Sequence, residues 1–229
     1  MTTILERASC DELASHTYLV RLIERVGLSG DLRKERLYGQ ALKHMRRIGS
    51  HSGLWQDPQQ IASALLALGA KARRVAPPAP FAYVEVGVFT AWSNCIISAY
   101  LTRMGGGAPF SGLAVDIKAG NIASATMEMM RRLNVSFMGR STFDRRLRNG
   151  EKLLVGSSSS SSSVAAGGDT HPQFDLCFID GDHSFAAVRS DYSQLAPHCA
   201  SAMFHDIQDV STTITCAPPP LLIFVCPSS

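Results

Sequence analysis

The sequence lacks several features that would narrow its role at once. No uninterrupted apolar stretch approaches the ~20 residues that span a bilayer, so neither a membrane span nor a membrane partner is expected. Behind the acidic start at Glu6, Asp11 and Glu12 there is no apolar run ending in a small-residue cleavage site. No secretory or organellar signal is visible, and a cytoplasmic location is expected. The six cysteines (Cys10, Cys95, Cys177, Cys199, Cys216 and Cys226) form no C-x-x-C pair and no Cys/His cluster at zinc spacing. Reduced thiols follow as the expectation, with Cys95 and Cys177 packing as small hydrophobes in apolar segments. An excess of one charge is also missing: 22 Lys and Arg against 19 Asp and Glu leave a formal net charge of +3. The arginines are spread out, without a basic stripe interleaved with aromatics, so no nucleic-acid partner is implied.

What is present fits one well-buried domain with an appendage, since 229 residues are too few for two domains of ordinary size. Residues 1–75 read as a helical region. Leu19, Leu22, Ile23 and Val26 recur at helical spacing opposite Arg21, Glu24 and Arg25, with Gly27 and Gly30 as stop signals. A second helical pattern passes through Leu37, Ala41, Leu42 and Met45. A third starts at Asp57-Pro58, where Asp57 can cap and Pro58 suits the first turn, and carries Ile61, Leu65, Leu66 and Leu68 before Gly69.

The segment Ala76-Pro77-Pro78-Ala79-Pro80 cannot continue a helix, which sets a boundary and makes 76–229 the core. Beyond it, short apolar runs alternate with helical patterns. Strands are expected at Tyr83–Val88, Gly112–Ile117, Val135–Met138, Phe174–Ile179 and Ser201–Phe204, and helices at 91–103, 121–133 and 184–195. Near-continuous apolar strands alternating with helices imply an α/β fold: a Rossmann-like, doubly wound, mostly parallel sheet with an N-terminal helical extension. A Ser-rich insertion at 156–170 reads as a disordered surface loop, with a phosphorylated tract as the other reading. After Asp209 the chain passes Pro218-Pro219-Pro220 into Leu221 to Val225, which reads as one short strand or as an unpaired run.

Ligands of open α/β sheets sit beyond the carboxyl ends of the strands. After the first strand stands Glu85-Val86-Gly87-Val88-Phe89-Thr90-Ala91-Trp92-Ser93, where Gly87 allows a tight turn or marks an ordinary strand-to-helix connection. Its single glycine disfavours a dinucleotide and hence a nicotinamide-dependent oxidoreductase. Asp116 follows at a spacing suited to accepting two ribose hydroxyls, or to capping a helix. Ser141 and Thr142, after the third strand, offer small polar groups for an adenine edge. The fourth strand runs into Asp180-Gly181-Asp182-His183-Ser184, and the fifth ends in Phe204-His205-Asp206. Acidic and imidazole groups on neighbouring strand ends would concentrate negative charge in one cleft, which favours a cation, a proton or a positive substrate there.

Taken together, Glu85-Val86-Gly87, Asp116, Phe178 to Ser184 and Phe204-His205-Asp206 resemble class I S-adenosyl-L-methionine (SAM)-dependent methyltransferases, in particular methyltransferase family 24. The resemblance covers roughly residues 80–209, and Asp-Gly-Asp-His-Ser is its most specific element. It implies methyl transfer from SAM to a small-molecule acceptor, at oxygen, with Glu85, Gly87, Ser93, Asp116, Ser141, Thr142 and Asp180 around the cofactor. By analogy with catechol-type relatives, Asp180 and Asp206 would ligate Mg2+. In a metal-free version His183 or His205 would serve as general base, with capping or bonding a backbone group as the other reading of either histidine, and Asp180, also a catalytic candidate, would close the cofactor pocket. Such folds end in a sixth strand and an antiparallel seventh, so the C-terminal strands read as truncated. A non-catalytic relative and a homodimer are both compatible with these residues, and Trp55 with Gln56 would border the acceptor.

Overall fold

The computed structural model describes residues 9–23, 58–72, 81–104, 109–154, 173–182, 184–205 and 221–224. The second helical pattern at 37–45, Trp55, Gln56 and the Ser-rich insertion lie outside them. At the N-terminus a single turn, α1 (Cys10–Leu13), precedes helical residues 16–23, so the periodicity around Leu19, Leu22 and Ile23 corresponds to a helix with those three side chains buried. Helix α2 (Pro58–Ala72) begins at the expected proline. It does not end at Gly69. That glycine sits within the helix because Tyr100 packs against it: a Cβ there would lie 2.4 Å from the Tyr100 hydroxyl oxygen.

From there strands and helices alternate as β1 (Phe81–Val86), α3 (Trp92–Met104), β2 (Phe110–Asp116), α4 (Ser124–Arg132), β3 (Val135–Gly139), α5 (Arg140–Arg148), β4 (Leu176–Ile179), α6 (Phe185–Leu195), β5 (Ser201–Phe204) and β6 (Leu221–Phe224). The sheet order is β3-β2-β1-β4-β5-β6, and every pairing is parallel. Leu221–Phe224 therefore makes a sixth strand, paired with β5 and placed after the three prolines, where the missing N–H groups cost the ladder nothing. The expectation of truncated C-terminal strands is corrected to that extent; among the described residues no antiparallel strand follows. Helix α5 has no counterpart in the sequence reading. Its run Arg-Ser-Thr-Phe-Asp-Arg-Arg-Leu-Arg carries only Phe143 and Leu147 as a buried i, i+4 pair, too few apolar positions for a visible period.

The sheet is apolar on both faces, as a parallel sheet with crossover helices requires. Phe81, Tyr83, Ala114, Phe178 and Met203 face the core built with α2, α3, α4 and the N-terminal helical residues. Their strand neighbours Ala82, Val84, Val86, Val115, Cys177, Ile179 and Phe204 face a second core closed by Phe143 and Leu147 of α5 and by Tyr192 and Leu195 of α6. Burying ten or more such side chains on each face is the dominant stabilising term, at about 1.5–3 kcal/mol for each large one.

One expectation in this core is overturned. Cys177, on β4, is joined by a disulfide to Cys199, just ahead of β5, with a Cα separation of 6.0 Å. Widely spaced cysteines say nothing about pairing until the topology is known, and the adjacency of β4 and β5 brings this pair together. Cys95 is a free, buried thiol as expected, and its pKa is pushed up to about 12 by burial and by the nearby Glu85. No helix among the described residues is long and apolar enough to cross a membrane.

Candidate active site

The chain leaves β1 toward β2 on one side and returns to β4 on the other, so the switch point, where open sheets of this kind form a crevice for ligands, lies at the carboxyl edge between β1 and β4. Gly87 stands at its base. Its φ of +88° lies in the left-handed region, and a Cβ on it would come within 2.2 Å of the Asp180 carbonyl oxygen. The glycine thus allows the β1 loop to press against the backbone of the β4 loop, the Asp180 N–H donating to the Val86 carbonyl at 2.8 Å. The close approach that Gly87 makes is to the backbone of Asp180 and Gly181. Phe89 and Ala91 in the same loop also have positive φ, 45° and 61°, a conformation that costs non-glycine residues about 1–2 kcal/mol each.

That loop is held by Asp116 at the end of β2. One carboxylate oxygen accepts the Phe89 N–H at 2.8 Å and the other accepts the Lys118 N–H at 3.1 Å. A carboxylate has about four acceptor positions, so two remain for hydroxyl donors at this half-buried site. On either side, Phe89 is 47% and Ile117 77% exposed, leaving apolar surface at the mouth of the crevice. Ser141 and Thr142 lie in the first turn of α5, directly beyond β3, Ser141 exposed and Thr142 half-buried. The cap residue Gly139 gives that turn no side-chain cap, so its first N–H groups have no intrahelical acceptor and point toward the same edge.

Deeper in the crevice, one face of three adjacent strands carries Tyr83, Glu85, Asp180 and His205. Glu85 is wholly buried. It accepts hydrogen bonds from the Tyr83 hydroxyl at 2.6 Å and the Ser93 hydroxyl at 2.5 Å. Burial, opposed by those two bonds and reinforced by the Asp180 charge, raises its pKa to about 7. The Tyr83 phenol is driven well above its ordinary range by burial and by Glu85. Nearer the tip, His205 Nδ1 lies 3.2 Å from Asp180 Oδ1, with both side chains 6% exposed, and Phe178 meets the imidazole edge-to-face at 6.5 Å. The structure brings together Glu85, Gly87, Ser93, Asp180 and His205, and it ties Asp116 to the loop after β1. Ser93 joins them through Glu85.

Two expected residues, His183 and Asp206, lie outside the described residues. Around His183, Ser184 caps α6 by accepting the Ala187 N–H, and Asp182 accepts the Ser184 N–H at 2.9 Å, so the most distinctive sequence element also starts a helix. Among the described residues no three His, Cys, Asp or Glu side chains converge as a metal would need, and Asp180 faces an imidazole where Mg2+ prefers oxygen. The described donor set does not fit the expected Mg2+. The sequence reading also missed Arg140, a polar residue between predicted elements whose partner Asp191 lies 51 positions away.

A doubly wound parallel sheet with helices on both faces and an acidic residue ending β2 defines an α/β domain of the Rossmann-like class. Residues 84–207, more than half the chain, match the family model Methyltransf_24, a methyltransferase domain. The chain belongs to this family of methyltransferases. No curated protein matches it.

Proposed function

We propose that the protein transfers a methyl group from SAM to a small-molecule acceptor, at oxygen. The observation that carries this is Asp116: a carboxylate at the end of β2, fixed by the loop it must share with the cofactor and still able to accept two ribose hydroxyls. The exposed faces of Phe89 and Ile117 suit a flat purine beside it. Asp180, with Glu85 once it has lost its proton, supplies negative charge where the cationic methionyl portion would lie, and Ser141 and Thr142 border the base.

When bound, SAM supplies an electrophilic methyl group on a sulfonium sulfur. The work of the protein's own residues is alignment and proton handling. Within this reading His205 takes the acceptor's hydroxyl proton as the new O–CH3 bond forms, and Asp180 holds the imidazole Nδ1, steadying the imidazolium that results. His183 would be the alternative base, and a non-catalytic binding role is the competing reading. Calorimetry with SAM on the wild type and Asp116→Ala tests the cofactor assignment: micromolar binding lost in the variant is expected, and a wild type that binds none rejects it. A panel of phenols and alcohols assayed with and without Mg2+ then separates transferase from mere binder. Transfer that survives His205→Ala unchanged removes His205 from the mechanism.

A further inference from the structure

The two rims of the crevice are far apart in the sheet. The turn after β3 and the turn after β4 flank β2 and β1, three strand spacings or roughly 14 Å. The turn after β4 is tied to β1, where the Asp180 N–H donates to the Val86 carbonyl, but β3 and β4 are not neighbours, and among the described residues no ladder bond ties that turn to the one after β3. Something else must set the width. Arg140, the first residue of α5, follows the last residue of β3 directly. Its Nη1 donates to Asp191 Oδ2 at 3.0 Å and its Nη2 to Asp191 Oδ1, a bidentate fork, while its Nε donates to Asp144 at 2.8 Å. Asp191 belongs to α6, is 6% exposed, and stands under the other rim: a Cβ on Gly181 would meet Asp191 Oδ2 at 3.4 Å. The Arg140 pKa is raised, first by the Asp191 hydrogen bonds, so the charge is fixed at every pH the protein meets.

We propose that Arg140 is a positioning residue that sets the span of the cofactor crevice by clamping the rim after β3, through α5, to the rim after β4, through Asp191 on α6. The proposal rests on the cofactor reading above for its purpose, though not for its geometry. A guanidinium is suited to this because its planar fork fixes both distance and angle to a carboxylate. An ammonium at the same place is a point charge that holds neither. Ser141 and Thr142, on the turn that Arg140 opens, and Asp180, beside Gly181, are the residues whose separation the clamp controls.

The test uses the full chain as wild type, Arg140→Lys, Arg140→Met and the double variant Arg140→Met with Asp191→Leu. The double variant removes both charges, so it avoids an unpaired buried carboxylate and recovers much of the melting temperature that Arg140→Met loses. SAM affinity is read by calorimetry and rim mobility by amide hydrogen exchange without ligand. Expected are a SAM affinity at least tenfold weaker in Arg140→Lys and in the double variant, and exchange at least tenfold faster at the hydrogen-bonded amides 144–148 of α5 and at Asp180, with β1 and β2 unchanged. Recovery of affinity together with melting temperature in the double variant, or exchange that rises evenly over the sheet, would show a merely structural ion pair and overturn the proposal. If the wild type binds no SAM, the cofactor reading has failed by itself, and the exchange pattern decides the clamp alone.

Discussion

The backbone N–H of Phe89 donates to the carboxylate of Asp116 at 2.8 Å, so the loop after β1 and the end of β2 are a single unit. Asp116 thereby has two tasks, shaping the loop and offering its spare lone pairs outward. Replacing it with alanine removes the loop's anchor and both hydroxyl acceptors. Because the Phe89 N–H can turn to water, the fold should lose no more than about 1 kcal/mol. Charge-assisted hydrogen bonds to a ligand are worth more, and SAM binding should weaken by roughly 100-fold, about 3 kcal/mol. Calorimetry alongside thermal melting reads both. A comparable loss in the two measurements would mean that Asp116 acts only on the fold.

Gly87 makes a sharper prediction about stability. A methyl group there would overlap the Asp180 carbonyl and would also have to adopt φ near +88°. Neither problem has a flexible side chain to absorb it, since the obstacle is backbone. Gly87→Ala should destabilise the protein by at least about 3 kcal/mol, a fall of roughly 10 °C in Tm for a chain of this size. Gly120→Ala, where a Cβ meets nothing within 4 Å, serves as the control and should change little. Equal effects at the two glycines would remove the β1–β4 loop contact from the account.

The Cys177–Cys199 bond closes a loop across a sequence separation of 22 residues and is buried at both ends. Chain-entropy reasoning assigns such a bridge about 3 kcal/mol. Reduction in denaturant followed by refolding with excess thiol should lower Tm by roughly 5–10 °C. Alkylating the protein at lysis, before any air oxidation, reads the state in the cell. The expected result is a linked pair of peptides, and full alkylation of both thiols would show that the bond is not kept in a reducing compartment.

Much of this architecture was legible in the chain because strands β1, β2, β4 and β5 are buried on both faces and so read as unbroken apolar runs between turn signals, whereas the edge strand β3 buries only Val135. β5 coincides with its predicted limits, and β1 and β2 each start two residues early. The elements that escaped depend on partners far away in sequence. Arg-rich α5 has little periodicity of its own and is held by Arg140 reaching Asp191. The cysteine pair is defined by strand adjacency, and Gly69 by the Tyr100 side chain it makes room for. In the site, residue type and position after each strand pointed to Asp116 and Asp180, since the fold dictates where carboxyl ends converge. What each side chain touches could not be read: nothing local says that Ser93 and Tyr83 are turned onto Glu85, or that Asp180 meets His205.

Glu85 provides the pH signature of this buried cluster. Its pKa in the folded protein is raised to about 7, chiefly by burial, from an ordinary value of 4.5. Between those values the folded state holds a proton that the unfolded chain has released, so stability must fall as pH rises. The stabilising contribution is fully present below about pH 4.5, declines through the interval and is gone above about pH 7, a change of about 3 kcal/mol at most. The opposing bonds from Tyr83 and Ser93 favour the carboxylate. Removing the Ser93 hydroxyl in Ser93→Ala should therefore raise the pKa further and extend the decline to higher pH. Glu85→Gln cannot ionise and should flatten the slope while leaving carboxylates elsewhere untouched. Urea unfolding of the three proteins at intervals from pH 4.5 to 8 measures this directly. A wild type and a Glu85→Gln variant with the same pH dependence would mean that Glu85 is ionised throughout, and that the crevice holds its negative charge without help from a bound cation.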